Sequence, residues 1–387
     1  MPGYEVIGEE ESSAVQEVFA RGGVLFRHGF DALRGDCYKV REFEQRFAET
    51  MGADYALAVT SGTAALRVAL AALGIGPGDE VITQSFTFVA TVEAIIESGA
   101  TPVCAEIDGG LNLAPADLER RITPQTKAVV AVHMLGTPAR LREIKEICDR
   151  HNLALIEDTA WGCGGNLDGR ALGTWGSVGT FSFDFAKTMT TGEGGMILFQ
   201  DETIWKRAAA WHDHGHENNP AVPRWEDTRA SSGFNYRMME LQGAIGLAQL
   251  AKLPHVVTAQ RHNRDRIWDR IGNLPGIEPR EVCAGSYETA DALVFLVRDN
   301  QLARTCRDEL LRVGLATKIL PEAYTWHFAG TWMHMPELVS AHGGDLDRAF
   351  DDSRRILSRA VSLPVNVMMA DDVPERARAA LVAALNQ

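Results

Sequence analysis

No apolar run in this 387-residue chain approaches the roughly 20 residues that a membrane-spanning helix requires, so no membrane association is expected. The opening Met1-Pro2-Gly3-Tyr4-Glu5-Val6 lacks both the basic start and the apolar core of a secretory signal, and a cytoplasmic location is the expectation. Basic residues are short: 38 Lys and Arg stand against 52 Asp and Glu, for a net charge of -14. A phosphate backbone wants a basic face, so nucleic acid is excluded as the expected partner. A locally basic pocket on an acidic protein can still take a small anion. Cysteine is scarce too, and the six residues (Cys37, Cys104, Cys148, Cys163, Cys283 and Cys306) include no Cys-x-x-Cys pair. That argues against a disulfide framework and leaves free, mostly buried thiols. Internal repeats and low-complexity segments are missing as well.

What the chain has is a rhythm. Residues 56–60, 80–83, 101–107, 128–133 and 154–157 read as short apolar strands, and 64–73, 89–99 and 140–151 as helices between them. Repeated strand–helix units with apolar strands predict an α/β fold with a mostly parallel sheet covered on both faces. Ligands are then expected at the carboxyl ends of the strands. A helical run over 238–253 precedes a change of character at Pro254. Residues 1–253 are therefore expected to form a large domain and 254–387 a smaller α+β domain, with a strand near 292–297 and helices near 302–313 and 347–361.

Four features fall at predicted strand ends. Ser61-Gly62-Thr63 opens a helix directly after a strand, which makes either an ordinary N-cap or an anion site suited to a phosphate. Phe88 follows the next strand, as core filler or as a platform for a planar ring. Asp158 closes the strand 154–157, either as a helix cap or as the carboxylate that keeps a heteroaromatic nitrogen protonated. Lys187 lies between the aromatic run Phe181-Ser182-Phe183-Asp184-Phe185 and the turn Gly192-Glu193-Gly194-Gly195. It is either a surface lysine in a turn or an amine held on a short loop behind an apolar strand for Schiff-base chemistry, where desolvation lowers its pKa and the loop fixes its aim. Ser182, five residues earlier, can reach the same phosphate. A phosphate cradle, a ring platform, a carboxylate for a pyridinium and an amine for an aldehyde together describe pyridoxal phosphate.

On these residues the chain resembles the DegT-type sugar aminotransferases, which have the type I fold of pyridoxal-phosphate enzymes. The likeness covers essentially the whole length, through Ser61-Gly62-Thr63-Ala64-Ala65-Leu66, Thr87-Phe88-Val89-Ala90-Thr91, Ile156-Glu157-Asp158-Thr159-Ala160 and Gly233-Phe234-Asn235-Tyr236-Arg237. The resemblance implies that Lys187 is the Schiff-base lysine and proton carrier, that Asp158 pairs with the ring nitrogen and that Phe88 stacks on the ring. It implies that Gly62, Thr63 and Ser182 hold the phosphate, and that Asn235 reaches the neighbouring subunit's cofactor in a homodimer with shared active sites. Glutamate as amino donor and a keto sugar as acceptor follow from the same likeness. One position departs: where the family usually has Gln or His against the cofactor's ring oxygen, three residues after the aspartate, this chain has Trp161. Indole donates one hydrogen bond and accepts none.

Arg27, His28 and Arg237, with Lys318 and His327, are the candidate substrate residues, and of these Arg27 and Arg237 are the candidate carboxylate binders, since a guanidinium grips both oxygens of a carboxylate. The alternation His212, His214 and His216 suggests a metal on a strand, but no cysteine or carboxylate framework accompanies it and no metal is expected. The flanking segments Met1–Glu10, Asp213-His214-Gly215-His216 and Trp326-His327 resemble most the branch that forms 8-amino-3,8-dideoxy-octulosonate from a keto-sugar acid. Sugar dehydration is the alternative within the same cofactor chemistry; relatives with that activity carry histidine in place of the lysine, and Lys187 speaks for amino transfer. A non-catalytic ligand sensor is the alternative of another class.

Overall fold

The computed structural model describes residues 2–219 and 221–387. Its central sheet has seven strands: β1 (Tyr55–Val59), β2 (Glu80–Gln84), β3 (Thr101–Ala105), β4 (Thr126–Val132), β5 (Ala154–Asp158), β6 (Val178–Ser182) and β7 (Gly195–Phe199). Their spatial order is β1-β7-β6-β5-β4-β2-β3. The pairs β2–β3, β2–β4, β4–β5 and β5–β6 are parallel, while β7 runs antiparallel to both β1 and β6. This is the mixed, mostly parallel α/β sheet expected. Ala128 to Val132 of β4 are all buried, because helices cover both faces and leave no solvent side for alternation.

The helices that position the site are α1 (Pro2–Glu5), α2 (Glu9–Ala20), α3 (Lys39–Met51), α4 (Gly62–Ala72), α5 (Val89–Glu97) and the 32-residue α6 (Glu240–Ile271). The helix expected to end at 253 continues through Pro254. A proline removes one N–H and crowds the preceding turn, yet packing on both sides holds the helix together. Leu250, Leu253 and Val257 join a core cluster with Phe181, Phe183 and Met189, and Ile267 and Ile271 join another with Phe295 and Leu381. The expected boundary at 253/254 thus falls inside one helix that belongs to two cores.

Beyond it, β8 (Ala292–Leu296) pairs antiparallel with β9 (Ala360–Pro364). The helix expected over 347–361 is shorter, Asp351–Ser358, and the apolar residues after it switch to strand. No helix among the described residues is long and apolar enough to cross a membrane. Five cysteines are buried, Cys283 is partly exposed, and all six are free.

Candidate active site

The site assembles where the carboxyl ends of β1, β2, β5 and β6 meet. Ser61 caps α4 from an extended conformation, its Oγ accepting the Ala64 N–H at 3.0 Å. The first-turn amides of Gly62 and Thr63 have no acceptor within the helix. Cap and anion site are therefore the same feature. A Cβ on Gly62 would lie 2.7 Å from the Ser182 Cβ, so the end of β6 approaches the first turn of α4 as closely as a bare backbone allows. Gly62→Ala is expected to displace Ser182 and lower cofactor retention about 10-fold, with a stability loss of roughly 1–3 kcal/mol. Bound cofactor after dialysis and the melting temperature check it.

After β2, Phe86 turns into the core and Phe88, at the start of α5, keeps 39% of its surface exposed. One turn into α5, the Thr91 hydroxyl bonds the Thr87 hydroxyl at 2.8 Å and donates to Asp158 Oδ2 at 2.9 Å. Asp158 Oδ1 accepts the Ala160 N–H at 3.2 Å. Burial pushes the Asp158 carboxyl above its ordinary pKa, against the pull of Thr91, Ala160 and Lys187. A buried carboxylate with acceptor capacity to spare fits a cationic ring nitrogen better than solvent.

Lys187 stands on a turn just beyond β6. Asp184 builds that turn, its side chain accepting the Ala186 N–H at 2.9 Å and its carbonyl the Lys187 N–H at 3.0 Å. The lysine Nζ lies 3.7 Å from the centroid of the Trp161 ring. Burial pushes the amine down to about 8, with Asp291, Asp158 and Asp184 opposing the shift. A neutral, nucleophilic fraction is therefore present near neutral pH. His327 is fixed by backbone bonds between its segment and the end of β2, Thr87 N–H to His327 O at 2.8 Å and Ala329 N–H to Ser85 O at 2.7 Å. Burial pushes its imidazole down to about 4, so it is neutral at pH 7.

Gly62, Thr63, Phe88, Asp158, Trp161, Ser182, Lys187 and His327 line one cavity of about 280 Å³. The other predicted residues lie outside it. Arg27 pairs with Glu44 at 2.6 Å, and Arg237 and His28 both face Asp213, the histidine at 3.3 Å. Burial would raise the Asp213 carboxyl, but His28, Arg224 and Arg237 hold it far below the ordinary range. The expected carboxylate binders Arg27 and Arg237, and the substrate candidate His28, thus face acids of this chain. Lys318 pairs with the buried Asp291 at 2.5 Å, its Nζ 5.0 Å from the Trp161 ring centroid and outside the cavity lining. Asn235 is exposed, and its Oδ1 accepts the Arg237 N–H at 3.3 Å. The three histidines share no strand: His212 closes a helix, His214 has a φ of 53°, and His216 faces Asp227 at 3.1 Å.

Two residues escaped the sequence reading. Thr91 lies in the first turn of α5 and Thr87 precedes that helix, and nothing in the local sequence joins either to Asp158, 67 positions further on. Asp291, which opposes the depression of the Lys187 pKa, carries no local signal, lying 104 positions away in sequence.

The residues fit pyridoxal phosphate: a helix start at Gly62 with Thr63 and Ser182 beside it for the phosphate, a partly exposed phenylalanine for the ring, a buried carboxylate for the nitrogen and an amine depressed by burial. Comparison with known proteins agrees. The model of the DegT/DnrJ/EryC1/StrS aminotransferase family matches residues 11–381. A GDP-perosamine synthase of Vibrio cholerae is 40% identical over 341 residues, covering 86% of this chain and 87% of its own. The spore coat polysaccharide biosynthesis protein SpsC of Bacillus subtilis (strain 168) is 33% identical over 386 residues, covering 95% and 92%. Among solved structures, the aminotransferase TlmJ of Streptoalloteichus hindustanus superposes with a TM-score of 0.84 at 29% identity, over 98% of this chain and 97% of that one.

Proposed function

We propose a donor, an acceptor and an assembly for a chain that belongs to the DegT/DnrJ/EryC1/StrS aminotransferase family. It is a pyridoxal-phosphate-dependent sugar aminotransferase. In our reading glutamate gives the amino group and a nucleotide-linked keto sugar receives it. The observation that carries the chemistry is the cavity holding Lys187 and Asp158, with Gly62, Thr63 and Ser182 in the same lining.

Bound pyridoxal phosphate supplies the electron sink for the reaction. Ser182 and the free amides of α4 hold its phosphate, and Phe88 covers its ring. Asp158, steadied by Thr91 and Ala160, keeps negative charge against the ring nitrogen. Lys187 Nζ, neutral for an appreciable fraction of the time, would take a proton from the donor's α-carbon in one half-reaction and would deliver one to the sugar carbon in the other. Trp161 cannot accept a hydrogen bond at the position where relatives carry Gln or His, so it acts as a wall that keeps water from Nζ. His327, neutral at pH 7, offers a hydrogen bond to the sugar. Asn235 is exposed, and we place it at a homodimer interface, reaching the phosphate site of a second copy.

The nucleotide-linked acceptor draws support from two curated GDP-perosamine synthases, at 40% identity for Vibrio cholerae and 37% for Escherichia coli O157:H7. The second reading, a 3-deoxy-octulosonate carrying its reacting carbonyl at the eighth carbon, draws support from the flanking segments, of which His327 lines the cavity. Incubation with glutamate and each acceptor, followed by the 2-oxoglutarate released and the product mass, decides between them. Product from the GDP-linked 4-keto sugar alone supports the first, and product from the octulosonate acid alone replaces it. Consumption of sugar without 2-oxoglutarate would point to dehydration and overturn both.

A further inference from the structure

The segment from Pro2 onward is tied to the loop that carries Lys187. The Gly3 N–H donates to the Lys187 carbonyl at 3.0 Å. Pro2 and Gly3 are buried, and a Cβ on Gly3 would lie 2.8 Å from Met189 Cα and 2.9 Å from Thr190 N. The next side chain, Tyr4, sets its ring 4.5 Å from that of Phe185. The far end of the loop is held by a relay: Thr190 N–H donates to Gln249 Oε1 at 3.2 Å, and Gln249 Nε2 to the buried Glu11 Oε1 at 2.9 Å. The second oxygen of Glu11 accepts the Gly8 N–H at 2.7 Å and the Lys252 ammonium at 2.8 Å. Lys252 also donates to the Val6 carbonyl at 2.7 Å, and Glu5 accepts the Met368 N–H at 2.8 Å.

We infer that residues 2–11 form a strap that positions Lys187, with Gly3 and Tyr4 gripping the lysine's own loop and Glu11 anchoring the strap to α6. The inference rests on the reading of Lys187 as the reacting amine. Several features of the geometry support it. The strap bonds the backbone of the lysine itself, so moving the strap moves the root of the side chain. Its tightest point needs glycine, because any Cβ there meets main-chain atoms, which cannot rotate aside as a side chain would. The Glu11 relay is buried and charge-assisted, which makes it stiff. Through Glu5 and Met368 the strap also touches the C-terminal part of the chain. Displacement of a reacting group by about 1 Å is enough to slow a reaction on the order of 10²-fold.

The test uses the full-length protein and the variants Gly3→Val, Tyr4→Ala and Tyr4→Phe. In the apoprotein, Lys187 acylation by a water-soluble reagent is followed across pH by peptide mass spectrometry. The wild-type midpoint is expected near the depressed value of about 8. In Gly3→Val and Tyr4→Ala it should rise by roughly one pH unit as the loosened loop admits water. In the holoenzyme the glutamate half-reaction should slow about 10-fold or more in both, with little change in KM, and Tyr4→Phe should restore it. A lower melting temperature with unchanged midpoint and unchanged half-reaction rate per folded holoenzyme would reduce the strap to a structural element and overturn the inference. If Gly3→Val fails to fold, Tyr4→Ala alone decides on the same readings. Borohydride reduction of the wild-type holoenzyme and peptide mapping tests the underlying reading separately: a label on a lysine other than Lys187 would remove that reading whatever the strap does.

Discussion

Lys187→Ala should lower amino transfer on the order of 10⁴-fold or more, measured as glutamate-dependent 2-oxoglutarate release with the acceptor present. The size follows from two functions lost at once: the nucleophile that holds the carbonyl and the base that moves the proton. Lys187→Arg separates charge from basicity. A guanidinium keeps the cation beside Asp158 but cannot lose its proton near neutral pH, so this variant should be as inactive as the alanine. A small primary amine added to Lys187→Ala should restore part of the rate, since truncation leaves room beside the Trp161 ring, 3.7 Å from the original Nζ. Rates in Lys187→Ala within 10-fold of wild type would remove the lysine from the mechanism.

How far such residues were legible depends on the range of the physics involved. Lys187, Asp158, Gly62 and Ser182 each follow or precede an apolar strand, and a strand–turn–helix unit fixes where its ends go. The sheet order then brings those ends together. Arg27 and Arg237 were different. A guanidinium among apolar residues reads as a free carboxylate binder until its own acid is found. Glu44 and Asp213 lie 17 and 24 positions away, on other elements, and no periodicity links them. The long helix α6 failed as an expectation for a related reason. Proline is a local signal for a break, and the packing of Leu253 and Val257 against β6 and its loop, which overrides it, is not local. Trp161 stands out in the sequence as a departure, but its neighbour Lys318 and that lysine's partner Asp291 come from the C-terminal part of the chain and became visible only in three dimensions.

Asp158→Asn should cost 10²- to 10³-fold in kcat, roughly 3–4 kcal/mol of transition-state stabilisation, with a smaller change in KM. The substitution keeps the shape and lets Thr91 accept from the new amide instead of donating, so what it removes is charge. Stability should move the other way in the apoprotein. Burial holds the Asp158 pKa above its unfolded value. A carboxyl shifted in that direction contributes fully below the unfolded pKa, and its contribution is lost as pH rises through the folded one. Burial thus disfavours the ionised carboxyl in the wild-type apoprotein, and at pH 7 Asp158→Asn should melt at least as high. Well below the unfolded pKa of about 3.9 the acid is protonated in both states and the advantage should vanish. With cofactor bound the order should reverse at pH 7, because the ring nitrogen then pairs with the carboxylate and the asparagine offers it only a neutral acceptor. Melting curves of the two proteins, with and without cofactor at both pH values, measure all four cases. A wild-type apoprotein more stable than Asp158→Asn at pH 7 would mean that Thr91 and Ala160 already satisfy the charge, leaving no deficit for a cationic ring to fill.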